Sequence, residues 1–161
     1  MKEQQKKYEL TDEFIEHWSG RKLYRIRALV AFGAVVAGQL GGFVESEKNL
    51  DQSLYGDAWV YGDARVCGDA QVCGDARVRS YAVISERKMI FWATNVGSEN
   101  GTLTVFNGEN GLIVTRGCFV GTVDEFLAKS AEVHDDKTKN EYKLLIEVAK
   151  SRILGVKDER N

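Results

Sequence analysis

Arginine and tryptophan side chains are the residues of this chain best suited to recognising a ligand. A guanidinium group can bind a phosphate or a carboxylate through two hydrogen bonds, and an aromatic ring can stack on a base. Both residue types are also frequent anchors of protein interfaces. The candidate ligand- or partner-binding residues are Trp59, Arg65, Arg77, Trp92 and Arg116. They allow two hypotheses, docking on another protein or trapping a nucleotide signal between subunits.

Catalytic chemistry is less well represented. The chain has two histidines, His17 and His134. Because His134 precedes Asp135 and Asp136 between two predicted helices, a surface or capping role is favoured over that of a general base. Residues 38–42 (Gly-Gln-Leu-Gly-Gly) do not match a dinucleotide fingerprint. The sequence therefore predicts no enzyme, no cofactor and no metal site.

These candidates lie in or near a six-residue repeat. The triplet Gly-Asp-Ala occurs four times between residues 56 and 76, and one apolar residue recurs at every sixth position. The recurring apolar residues are Leu54, Val60, Val66, Val72, Val78 and Ile84. Because strand side chains alternate, the alanine and the apolar residue two positions later should point inward. The residues between them should point outward: Trp59, Arg65, Gln71 and Arg77.

A period of six is typical of a hexapeptide solenoid. The stretch resembles the left-handed parallel β-helix of hexapeptide-repeat proteins, and this resemblance implies three hexads per turn. Asp57 should then stack near Asp75, and Trp59 near Arg77. A calcium site on the aspartates is disfavoured, because Asp-type calcium repeats use a nine-residue unit.

The predicted fold class is mainly β with an α+β cap. It consists of a short left-handed parallel β-helix over residues 36–86, an N-terminal β segment over residues 1–35, and a C-terminal β-hairpin with two helices over residues 87–161. In the N-terminal segment, Arg21, Arg25 and Arg27 share one strand face. They could bind a phosphate or a carboxylate, or form a solvated face.

The C-terminal segment shows strand patterns at residues 89–96, 102–106 and 112–116. Thr122 and Glu125 form a capping box, which predicts a helix over residues 123–133. A second helix should run from Asp136 as N-cap to about residue 154. The predicted buried helix residues are Val123, Phe126, Leu127, Ala131, Tyr142, Leu145, Ile146, Ala149 and Ile153. This segment should cap the open end of the solenoid.

Composition limits the kinds of partner and the cellular location that the sequence predicts. The 161 residues carry a net charge of −2, which argues against general nucleic-acid binding. Residues 28–37 are too short an apolar run to span a membrane, and the charged residues 1–7 lack a signal-peptide pattern. Of the three cysteines, Cys67 and Cys73 should lie on different corners and Cys118 should be packed. We therefore expect a cytoplasmic protein.

The chain also resembles a family of hexapeptide-repeat proteins carried by bacteriophages and prophages. The resemblance rests on the Gly-Asp-Ala repeats and on five other stretches. These are residues 8–11, 20–28, 40–44, 97–106 and 116–119. It implies a viral accessory setting in the host cytoplasm.

The favoured hypothesis is a non-enzymatic phage accessory protein that binds and inhibits a host factor, as in anti-defence. The alternatives are a nucleotide sponge and an enzyme similar to hexapeptide acyltransferases. A homo-oligomer, trimer or dimer, is expected to form through the face of Trp59 and Arg77.

Overall fold

The computed structural model describes residues 6–17 and 19–155. Residues 1–5, which contributed to the predicted compartment, lie outside the described residues. The strands are β1 (Tyr8–Glu16), β2 (Lys22–Ala28), β3 (Leu40–Val44), β4 (Trp59–Val60), β5 (Arg65–Val66), β6 (Arg77–Val78), β7 (Val83–Ile84), β8 (Ile90–Val96), β9 (Gly101–Gly108), β10 (Gly111–Arg116) and β11 (Phe119–Thr122). The helices are α1 (Val123–Val133) and α2 (Asp136–Leu154).

The strands form three sheets, and their arrangement shows that the predicted fold class is wrong. One sheet is mixed and five-stranded, in the order β1-β2-β3-β5-β7, and another is antiparallel, in the order β11-β10-β9-β8. The third pairs only β4 with β6. The described residues are therefore mainly β with several sheets and two helices, and do not form the predicted β-helix. The repeat strands are two residues long, and two of them extend a sheet begun by the N-terminal strands.

Local features of the repeat agree with the sequence pattern. Trp59 pairs in parallel with Arg77, and Arg65 with Val83. The backbone N–H of Asp57 donates to Oδ1 of Asp75 over 2.9 Å. The repeat alanines and the apolar residues from Val60 to Ile84 are buried as predicted: Ala58, Ala64, Ala70, Ala76, Val60, Val66, Val72, Val78 and Ile84.

Two orientations predicted from the repeat are wrong. Trp59 was expected to face outward and is fully buried, whereas Leu54 was expected inward and is 47% exposed. N-terminal residues cover this side of the repeat: the rings of Tyr8 and Phe32 lie 6.1 and 5.3 Å from that of Trp59. Because those rings shield the indole from water, the outward position of the hexad becomes a core position here.

The antiparallel sheet packs on the repeat through one face and on the helices through the other. Arg77 N–H donates to Thr104 Oγ1 over 3.2 Å, and Thr115 Oγ1 donates to the Arg77 carbonyl over 2.8 Å. On the repeat side, Ile90 and Phe106 join the core of the repeat. The residues that pack against the helices from the other face include Leu103, Val105 and Val114.

The helices begin and end close to the predicted positions. The Thr122–Glu125 capping box is present, and α2 has Asp135 as its N-cap instead of Asp136. Most predicted helix core residues are buried, Leu127 and Leu145 are half-buried, and Ala131 is exposed. Cys118, expected to be packed, is exposed in the turn between β10 and β11, while Cys67 is buried and Cys73 half-buried.

Candidate functional site

The five predicted binding residues do not converge on one site. Trp59 is in the core, and Arg77 is half-buried in β6 against the antiparallel sheet. Trp92 lies on the repeat side of that sheet, close to Gly74, whereas Arg116 lies on the helix side. There the Arg116 Nε donates to the Tyr142 hydroxyl. A single ligand therefore cannot contact all five.

Arg65 lines a polar cavity of about 320 Å³ together with Asp63, Ser80, Tyr81 and Glu109. The tyrosine could stack on a base, and the arginine could bind a phosphate. The two carboxylates beside them would repel that phosphate. The cavity is therefore poorly suited to an anionic ligand.

Three arginines in or directly before β2 form ion pairs with carboxylates. Arg21 pairs with Glu45 at 3.4 Å, and Arg27 pairs with Glu9. Arg25 pairs with Glu13 and Asp63 at 3.0 and 3.2 Å, and its guanidinium lies 4.2 Å from the centre of the Phe43 ring. This face thus holds strands together through ion pairs, and the arginines are not arranged for the phosphate binding that the sequence allowed as one possibility.

Another cavity, of about 300 Å³, has the most reactive side-chain types. It is lined by His17, Ser19, Arg21, Cys67, Gly68, Asp69, Ser85 and Glu86. Burial raises the pKa of the Cys67 thiol, although Arg21 opposes the shift. Burial also lowers the pKa of His17, with Arg65 and Arg21 adding to the effect. Because a thiolate is the reactive form of cysteine, the raised pKa describes a Cys67 thiol held protonated and not an activated nucleophile.

The best candidate for molecular recognition is a set of exposed apolar side chains on two neighbouring loops. One loop connects β2 to β3 and carries Leu29 and Val36, which are 41% and 62% exposed. The other precedes β4 and carries Leu54 and Tyr55; the Tyr55 side chain is fully exposed. We call Leu29, Val36, Leu54 and Tyr55 the loop surface. Apolar side chains exposed together on loops are typical of interaction sites.

A buried lysine joins the two loops. The Lys7 carbonyl accepts a hydrogen bond from the Leu29 N–H over 2.8 Å, and its ammonium lies 4.5 Å from the centre of the Phe32 ring. The same ammonium donates to the carbonyls of Ser53 and Gly56, each at 3.5 Å. Burial lowers the pKa of Lys7, and nearby aspartates oppose the shift. The loops are thus fixed to one central group.

A second set of contacts holds the loop that carries Tyr55. The Gln52 side chain accepts from the N–H groups of Lys7 and Tyr8 and donates to the Tyr8 carbonyl over 3.0 Å. The Tyr8 hydroxyl donates to the Leu50 carbonyl over 2.6 Å. In addition, a Cβ placed on Gly33 would lie 2.9 Å from Cγ of Asp57, so the two loops touch directly. This support makes the loop surface preorganised for binding.

Sequence reasoning did not find the loop surface, although a signal was present. Leu50 pairs with Val72, 22 residues later, whereas Trp59 pairs with Arg77, 18 residues later. Four additional residues therefore interrupt the period between Leu50 and Trp59. An apolar residue at such an interruption, like Leu54, need not face the core.

The remaining findings concern metal ligation, membrane crossing and similarity to known proteins. Within residues 6–17 and 19–155, no cluster of three or more histidine, cysteine, aspartate or glutamate side chains could hold a metal ion. Neither α1 nor α2 is long and apolar enough to cross a membrane. No protein-family model matches the chain, and no curated protein matches it.

Proposed function

We propose that this chain is a non-enzymatic binding protein whose loop surface docks on another protein. The observation that carries the proposal is the full exposure of Tyr55 on a loop held by Lys7 and Gln52. A loop backbone that is held before binding loses little conformational entropy when it binds, and tyrosine is a frequent interface anchor. Leu54 and Val36 would supply the apolar contacts that exclude water around it.

The proposed partner is a host protein in the cytoplasm of a phage-infected bacterium, and the proposed effect is inhibition of that host factor. The resemblance to phage and prophage hexapeptide-repeat proteins supports the setting, and the weak representation of catalytic residue types in the sequence favours inhibition by binding over a reaction. The loop surface adds a chemical expectation about the partner. It should offer an apolar depression that accepts a tyrosine ring.

The two alternative functions find less support in the geometry. A nucleotide sponge would need its arginines near an aromatic ring and away from carboxylates, whereas Arg65 faces Asp63 and Glu109. An acyltransferase-like reaction would need a histidine base. His134 Nδ1 lies 2.9 Å from Ser130 Oγ, and its ring is 5.3 Å from that of Tyr142, contacts that suit a helix end.

The test is retention of host proteins from a bacterial lysate on the tagged chain, read by mass spectrometry. Tyr55→Ser should lose a protein that the unchanged chain retains. Tyr81→Ser is the matched control, because Tyr81 is 68% exposed on a different loop. Equal retention by all three chains would contradict the proposal. Nucleotide absorbance released from the heated protein would favour the sponge instead.

A further inference from the structure

The antiparallel sheet ends in a strand whose first five residues carry no protection against pairing. β8 is the outer strand, and no other strand of the described residues pairs with its far edge. Exposed edges are usually protected by charged side chains, by proline or by bulges. β8 (Ile-Phe-Trp-Ala-Thr-Asn-Val) has no charge and no proline. Its one irregularity is at Asn95, where φ is 67°, so residues 90–94 form a regular, uncharged edge.

The other long edge strand is protected in the expected way. β1 is nine residues long and carries Glu9, Asp12, Glu13 and Glu16. Carboxylates on both strands would repel one another if two copies of β1 met. The remaining edge strands, β4, β6, β7 and β11, are two to four residues long. Among the described strands, β8 is therefore the edge best suited to accept another strand.

An apolar groove runs beside this edge. It has a volume of about 360 Å³ and is lined by Ile90, Phe91, Trp92, Val148 and Arg152. Leu144 and Val148 lie one helical turn apart on α2 and are 58% and 52% exposed, whereas Tyr142 and Ile146 face the core. The helix thus extends the apolar surface of the strand edge outward.

Side chains of both charges lie beside the groove, a pattern that suits the association of two identical copies. A neighbouring hollow of about 530 Å³ is lined by Glu147, Val148, Ser151 and Arg152. A two-fold axis places each patch against its own copy, so a patch with both signs of charge can complement itself. The carboxylate of one copy can then face the guanidinium of the other across Val148.

We propose that two copies of this chain associate through β8, antiparallel about a two-fold axis. The edge N–H and C=O groups of residues 90–94 pair between copies, and the antiparallel sheet continues across the interface. Val148 and Trp92 supply the apolar contacts beside it. This interface differs from the one predicted on Trp59 and Arg77, which the burial of Trp59 excludes. It also leaves the loop surface free, so the two proposals can fail independently.

The test measures mass by sedimentation velocity and light scattering, from low micromolar to several hundred micromolar protein. The unchanged chain should reach twice its 18.0 kDa mass. Thr94→Lys places a charge on the exposed edge, and Val148→Lys places one in the groove. Each substitution should raise the dimer dissociation constant at least about tenfold. Val133→Lys is the matched control, because Val133 is 56% exposed at the end of α1. It should dimerise normally.

Hydrogen exchange at low and high concentration locates the interface. Protection that rises with concentration should appear in residues 90–94 and be lost in Thr94→Lys, with circular dichroism unchanged. A monomer throughout the range would overturn the proposal, as would a trimer. A dimer that survives both lysine substitutions, or that is protected at residues 53–56 instead, would also overturn it.

Discussion

The repeat and the C-terminal sheet bury their apolar residues in different ways. In the repeat, alanine and valine side chains fill a narrow interior and backbone segments nearly touch; a Cβ on Gly56 would lie 2.1 Å from the Gly74 carbonyl oxygen. In the C-terminal part, large rings interlock, with Phe126 and Tyr142 centroids 5.0 Å apart. The repeat should therefore be most sensitive to added atoms, and the C-terminal part to removed ones.

The largest effect should come from a charge inside the repeat. Val72 is fully buried, so Val72→Asp places a carboxylate among apolar groups without a partner. We expect a loss of about 5 kcal/mol or more, enough to unfold a protein of ordinary stability. Asp69→Asn at an exposed corner should cost less than about 1 kcal/mol. Denaturant titration followed by circular dichroism compares them, and equal midpoints would show that the inward assignment is wrong.

A truncation should be the most damaging apolar change in the C-terminal part. Phe126 contacts the rings of Phe119 and Tyr142, so Phe126→Ala leaves a cavity between the helices and the sheet. The expected loss is about 3 to 5 kcal/mol in the free energy of unfolding. Ala131→Gly in the exposed part of α1 should cost only about 1 kcal/mol. A Phe126→Ala variant as stable as Ala131→Gly would mean that these rings do not form a packed core.

Adding one methyl group to a glycine should change the stability of the protein differently in the two regions. Gly56→Ala would force the Gly74 backbone away and should cost about 1 to 3 kcal/mol. Gly101→Ala in β9 meets no atom within 4 Å and should be neutral or stabilising by up to about 1 kcal/mol. Thermal unfolding of the two variants measures the difference. The same loss at both glycines would remove the distinction between the regions.

The smallest effect concerns pH. Burial raises the pKa of the Tyr8 phenol, and the carboxylates of Glu47 and Asp51 add to the shift. The folded state therefore keeps the phenol proton at pH values where the unfolded state, with a pKa near 10.0, has lost it. Tyr8 thus contributes stability below that pH, and the contribution declines as the pH rises above it.

The matching variant is Tyr8→Phe. At neutral pH it loses the hydrogen bond to Leu50 and should be less stable by about 1 kcal/mol. Above pH 10 the unchanged chain should lose stability faster than the variant, so their difference narrows with rising pH. Parallel stability curves from pH 8 to 11 would contradict the buried, protonated phenol.

The sequence predicted what its period and its caps determine locally. The burial of Val60 to Ile84 and the Thr122 capping box depend on neighbours close in sequence or on the repeat itself. The pairing of residues 18 apart was expected from the resemblance to hexapeptide-repeat proteins. The burial of Trp59 could not be predicted, because it depends on Tyr8 and Phe32 from a distant segment. The interrupted period indicated that Leu54 need not face the core, but the support of its loop by Lys7, from a distant segment, could not be predicted.

The predicted fold class was wrong about how the strands combine into sheets. A period of six indicates turns at regular spacing but does not specify which strands extend a sheet, and here β1 and β2 join the repeat strands through β3. Such long-range pairing depends on contacts that no local pattern contains.

The central claim is that Tyr55 is the anchor of a protein interface, and cross-linking at that position tests it most directly. A photoreactive amino acid placed at position 55 in bacterial cells should yield one discrete cross-linked host protein, identified by mass spectrometry. Val36→Asp in the same chain should abolish that product, and the same probe at position 81 should not form it. No product at position 55, or the same products as at position 81, would contradict this role of Tyr55.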